Sequence, residues 1–138
     1  MYKSIKLMLP LALAATLMLT GCKKDAEIKV VLADFDSFTA ELLKKVETAQ
    51  TPALGVDEAQ KYLDERKSEL RAKWDSIKSV KNFQVSDETK KSMQEDLKKN
   101  LLSVYGLQSK YIDQSIKDAA FKTKLDKLIN DYKELYEV

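Results

Sequence analysis

Beyond residue 25 this chain holds one proline, Pro52, and two glycines, Gly55 and Gly106, so little in it interrupts a regular backbone. Proline punctuates secondary structure by lacking an amide donor, glycine by its access to turn conformations. The intervals are filled by Leu, Lys, Glu, Ala and Gln, which lose little on entering a helix. No stretch alternates strictly between apolar and polar, as a half-buried strand does. The expected fold class is all-α: an antiparallel bundle of about four helices, with short connections joining neighbours.

The first helix is expected from about Ala26 to Ala49. Ile28, Val31, Leu32, Phe35, Phe38, Leu42 and Val46 recur there at three- and four-residue steps and form one stripe. The segment Thr51-Pro52-Ala53-Leu54-Gly55 ends it, and Asp57 with Gln60 has the spacing of a capping box that opens the second helix. Ala59, Leu63, Leu70, Trp74, Ile77 and Val80 make the second stripe; Lys81-Asn82 closes it, and Phe83 and Val85 sit in a connector that packs on the core. Ser86 is the next N-cap, with Asp87 and Glu88 at the positive end of the helix dipole. Met93, Leu97, Leu101, Val104, Ile112 and Ala119 share one side of that helix, with Ile116 at its edge. Phe121, Leu125, Leu128, Tyr132 and Leu135 lie on a face turned well away from it, at 100° per residue. A turn at Lys117 to Ala120 brings both faces inward, and Gly106 is the rival position for the break.

The first 22 residues read differently. Lys3 and Lys6 give a positive start, Leu7 to Leu19 an apolar run interrupted by Pro10 and Thr16, and small residues precede Cys22. Such a run is too short to cross a hydrocarbon core, which takes roughly 20 residues of helix. Leu19-Thr20-Gly21-Cys22 resembles the lipobox of bacterial lipoproteins, and the chain's single Cys stands where the lipobox requires one. The plainer alternative is a secretory signal with a chance Cys. The resemblance implies a signal peptide over 1–21, cleavage before Cys22, two or three acyl chains on that residue, and a mature helical domain over 22–138. It covers the leader alone. Lys23, where an Asp would signal inner-membrane retention, leans it towards an outer membrane facing the periplasm. The short tether sets the domain against the bilayer, where Lys23, Lys24 and Lys29 either face headgroups or, for the first two, simply keep the linker soluble.

Of the 24 Lys and Arg, Lys3 and Lys6 go with the leader, which leaves the mature chain balanced against its 22 Asp and Glu. An evenly mixed, neutral chain has no electrostatic footprint for nucleic acid. The chain has no His, which removes the commonest general base, the imidazole metal ligands and the Glu-x-x-His motif of di-iron bundles. Asp34-Phe35-Asp36 opens like a calcium loop, but no Gly or Glu follows at the required offsets. Glu65 and Glu69 are interleaved with Arg66, Lys67, Arg71 and Lys73 and read as a salt-bridged face. No catalytic, cofactor or metal site is expected, and the chain does not read as an enzyme.

The candidate partner contacts are Tyr62, Arg66, Tyr105 and Tyr136. Arg66 falls where the stripe between Leu63 and Leu70 wants an apolar residue, so it either snorkels at the rim or meets an anionic group of a partner. Tyr62, Tyr105 and Tyr136 lie at stripe edges and are expected to be exposed; Trp74, Tyr111 and Tyr132 are expected in the core. The functional expectation is a lipid-anchored, non-enzymatic module for protein–protein interaction in the cell envelope. A competing expectation is a bundle that holds a small molecule or lipid in an apolar cavity, and a third is an inhibitor of a partner's active site. A carrier shows an internal cavity, whereas an interaction module shows a filled core and an exposed aromatic patch.

Overall fold

The stripe expected of the first helix is buried along its length in the structure, a computed structural model that describes residues 23–81 and 84–137. The expected signal peptide over 1–21, Cys22 of the segment that resembles a lipobox, Asn82 and Phe83 lie outside the described residues, as does the side chain of Lys23. The described residues form five helices and no strand: α1 (Lys23–Thr48), α2 (Pro52–Lys78), α3 (Asp87–Lys110), α4 (Ile112–Lys117) and α5 (Ala119–Lys133). In α1, Ile28, Leu32, Phe35, Phe38, Leu42 and Val46 are at most 4% exposed, and Val31 flanks them half-buried.

The second helix begins earlier than its sequence suggests. Thr51 is the N-cap, its hydroxyl accepting the Leu54 amide at 3.2 Å, and Pro52 occupies the first turn. Proline fits there because the first amides of a helix lack intrahelical acceptors in any case. Gly55, read as part of the turn, is therefore inside α2. It is buried where α2 crosses α1, so close that a Cβ would stand 2.5 Å from the Val46 carbonyl oxygen and 2.9 Å from the Val46 Cα. At its other end α2 stops at Lys78, with Ser79 as C-cap, and Val80 is half-buried just beyond it.

Ser86 caps α3 as expected, its Oγ accepting the Thr89 amide at 3.2 Å. The single expected turn in the last third of the chain is two breaks. The backbone departs from the helix at Tyr111 and again at Asp118, and Gly106 causes neither, lying inside α3. Asp118 marks the second break: its Oδ1 accepts the Phe121 amide at 2.9 Å and so caps α5. The bend at Tyr111 ends the phase of α3. Ile112 and Ile116, placed by sequence on the α3 stripe and at its edge, are 56% and 76% exposed, and Ala119 is exposed as well. Val104 and Leu107 are buried, while Met93, Leu97 and Leu101 are half-buried. Phe121, Leu125, Leu128, Tyr132 and Leu135 are all buried, joined by Ile129.

Partner positions give the helix directions. Along α1, Asp34 meets Lys73, Phe38 meets Tyr62 and Val46 meets Gly55, so α1 and α2 are antiparallel. Asp25 holds Ser86, Asp36 holds Asn100 and Glu47 holds Lys110, so α1 and α3 are parallel. Asp57 to Lys124 and Lys67 to Glu134 make α2 and α5 parallel too. The packed pairs α1–α2, α2–α5, α5–α3 and α3–α1 close a ring around the core. Consecutive long helices thus alternate in direction, yet two of the four neighbouring pairs run parallel. Beyond the second helix, Asp25 at the start of α1 accepts the Ser86 amide and so fixes the start of α3 beside it.

Candidate functional site

The four candidate contact residues divide between one aromatic cluster and a separate position. Tyr62 and Arg66, one turn apart on α2, lean over the ring of Phe38. Tyr62 stacks on it at 4.9 Å between centroids, and the Arg66 guanidinium stands 5.7 Å above it. Arg66 also donates to the Tyr62 hydroxyl at 3.5 Å and to Glu69 at 3.3 Å. The guanidinium thus stands over an aromatic face while it reaches a carboxylate at the rim, a cation–π contact joined to an ion pair. Tyr136 packs at 5.1 Å against Phe35, 5.0 Å against Trp74 and 5.7 Å against Tyr132. Tyr105 stands apart from these three, packed on the core from α3. All three tyrosines expected to be exposed are half-buried, because the edge of a helical stripe still rests on a neighbouring helix. Trp74 and Tyr132 are core as expected, and Tyr111 is half-buried, edge-on to Phe121.

Hydroxyl groups order the middle of this cluster. Each hydroxyl carries one proton, and Thr39 donates its own to the Phe35 carbonyl at 2.7 Å. Tyr132 must then donate to Thr39, at 2.5 Å, and Tyr136 to Tyr132, at 3.0 Å. Burial raises the pKa of both phenols above the ordinary tyrosine value of 10.0, and for Tyr136 the neighbouring Tyr132 adds to the rise. Above about pH 10 the unfolded chain releases protons that the folded state keeps. Stability is therefore present below that pH and falls above it, by about 1.4 kcal/mol per pH unit for each such tyrosine. Tyr136→Phe is expected to flatten the alkaline decline, measured as denaturation midpoint against pH from neutrality upward. An unchanged slope would mean that Tyr136 ionises in the folded state.

Charged groups on the surface are largely paired with one another. Lys73 bridges Asp34 and Glu69, both at 2.7 Å, and Glu69 also takes Arg66, so the Glu65/Glu69 side of α2 is salt-bridged as its sequence implies. Asp36 holds Lys99 at 2.7 Å and the buried Asn100 at 2.8 Å, which ties α3 to α1. Among the described residues, no group of three or more His, Cys, Asp or Glu side chains is placed to hold a metal ion. No described helix is long and apolar enough to cross a membrane.

A second feature was not anticipated. Between the end of α2, the connector and the start of α3 lies an apolar groove of about 310 Å³, walled by Trp74, Ile77, Val80, Val85, Met93 and Leu97, with Lys78 and Lys90 also lining it. Lys90 pairs with Asp87 at 3.0 Å. Trp74 is 7% exposed, and its Nε1 is buried without a hydrogen-bond partner. Sequence periodicity assigned these apolar residues to the core; Trp74 and Ile77 join it, and the other four are half-buried. It carries no information on the gap left between the last turns of α2 and the first turns of α3. The unusual signal was Trp74 itself, the chain's single Trp, placed near the end of its helix. Comparison of the chain with protein-family models, with curated proteins and with solved structures found no match.

Proposed function

We propose that the chain is a bacterial lipoprotein, held to the cell envelope by lipid on Cys22, whose helical domain is a non-enzymatic module for binding another envelope protein. The observation that carries this reading is the junction of the lipobox with the fold. Leu19-Thr20-Gly21-Cys22 is followed at the very next residue by α1, which starts at Lys23. A residue acylated at that position has no spacer before the folded domain, so the domain works at the membrane surface. Two or more acyl chains would make attachment stable where one chain gives only marginal binding. The Lys23 position favours an outer membrane facing the periplasm. An interaction role is supported by the filled aromatic core, although the tyrosines expected to form an exposed patch are half-buried.

Cys22→Ser is expected to leave an uncleaved precursor that takes up no labelled palmitate and leaves the membrane fraction on a carbonate wash. A mature acylated product from that variant would refute the lipoprotein reading. The interaction reading is tested by a photoreactive residue at position 62 in intact cells, where one dominant envelope protein is the expected adduct. The competing reading, a lipid-binding bundle, draws its support from the groove beside Trp74 rather than from an internal cavity.

A further inference from the structure

The groove lies at the end of the bundle where the anchor enters. Asp25, in the first turn of α1, accepts the Ser86 amide at 2.9 Å, and Val85, the residue before Ser86, lines the groove. Cys22 precedes Asp25 by three residues. Three residues span at most about 11 Å of chain, so covalent geometry alone keeps Cys22 that close to Asp25. A lipid on Cys22 therefore holds the start of α1, and Ser86 bonded to it, next to the membrane surface, with the groove beginning at the neighbouring Val85.

Three properties of the groove match one kind of occupant. Its wall is apolar, with six hydrophobic or aromatic side chains from α2, the connector and α3. The charged side chains lining it are cations, Lys78 and Lys90, the second shared with Asp87. A volume of about 310 Å³ is at the small end for a ligand site and suits part of one hydrocarbon chain rather than a whole lipid.

We propose that the groove seats one acyl chain of a phospholipid from the leaflet in which the Cys22 lipid is embedded, with Lys78 and Lys90 against its phosphate. The inference rests on the lipoprotein reading above. The second contact would fix the domain's orientation on the membrane, which a flexible thioether at Cys22 does not do.

Because the chain has a single Trp, its fluorescence reports this site alone. The full-length lipidated protein is reconstituted into phosphatidylglycerol–phosphatidylcholine vesicles whose acyl chains are either unmodified or brominated in their upper half. Trp74 is expected to lose most of its emission in the brominated vesicles. Met93→Glu, which puts a charge on the groove wall, is expected to restore it, and so is Lys78→Gln combined with Lys90→Gln, which changes no buried group. Equal emission in the two vesicles overturns the proposal. Quenching that persists in all variants, with helicity by circular dichroism unchanged, also overturns it, since surface proximity then suffices. Intact mass of the same sample tests the anchor separately. A bare Cys22 ends the lipoprotein reading, and quenching on simple mixing with vesicles then decides the groove by itself.

Discussion

Tyr132→Ala is expected to cost about 4 kcal/mol, near the cost of truncating a buried aromatic ring. The position is the centre of the bundle: Tyr132 is fully buried on α5, its ring parallel to that of Phe38 on α1 at 6.4 Å and against Tyr136 at 5.7 Å. A small domain has only about 5–15 kcal/mol in total, so the variant sits close to the limit of folding. Tyr132→Phe separates packing from hydrogen bonding. It keeps the ring and removes only the hydroxyl that donates to Thr39 and accepts from Tyr136, and is expected to cost about 1 kcal/mol. Denaturant midpoints at constant m-value check both. Equal losses for the two variants would show that the buried hydroxyl chain, rather than the ring, holds α5 to α1.

Gly55→Ala is expected to destabilise by about 2 kcal/mol, against a helix-propensity gain that would by itself favour Ala. The new methyl group would meet the Val46 carbonyl oxygen at 2.5 Å, the Val46 Cα at 2.9 Å and the Lys45 carbonyl oxygen at 3.0 Å. All three are backbone atoms, so no rotamer change relieves the contact and α2 must move away from α1. Gly106→Ala is the control. It lies inside α3 with nothing within 4 Å of the added carbon. There the propensity term acts alone, and stability is expected to rise by about 0.5–1 kcal/mol. Thermal midpoints should therefore move in opposite directions, by roughly 4 °C per kcal/mol for a domain of this size. A neutral or stabilising Gly55→Ala would mean that the two helices do not cross in contact.

The comparison of those two glycines shows where sequence reading ends. Both look alike in the sequence, as single glycines among helix formers. At Gly55 the pattern Thr-Pro-x-x-Gly read as a turn, although Thr51 and Pro52 are equally the cap and first residue of a helix. Gly55 is required because another backbone passes there, and that neighbour is nine residues away in the chain. Asp118 was legible and overlooked: an N-cap side chain can end one helix and start the next without Gly or Pro. The bend at Tyr111 carries no local signal of that kind.

For the candidate site the division is similar. Tyr62 and Arg66 could be placed together because they are one turn apart on a single helix, a relation that periodicity supplies. That Phe38 lies beneath both, and that Tyr136 packs between Phe35 and Trp74, depends on which helices are neighbours. The groove beside Trp74 depends on it still more, being space left between elements rather than a property of any one of them.

The sequence by itself determined the all-α class, the stripes of α1, α2 and α5 and the cap at Ser86, because helix periodicity and capping are set by residues within a turn or two of one another. It also carried Leu19-Thr20-Gly21-Cys22, a short linear resemblance to a lipobox on which the proposed anchor rests. Only the tertiary structure decided the ring order of the helices, with α3 beside α1 and α5 beside α2, the need for Gly55, the hydroxyl chain from Tyr136 to Thr39 and the groove at the anchor end. Each of these is a relation between different helices, fixed by which apolar faces exclude water together, and no local pattern encodes that choice.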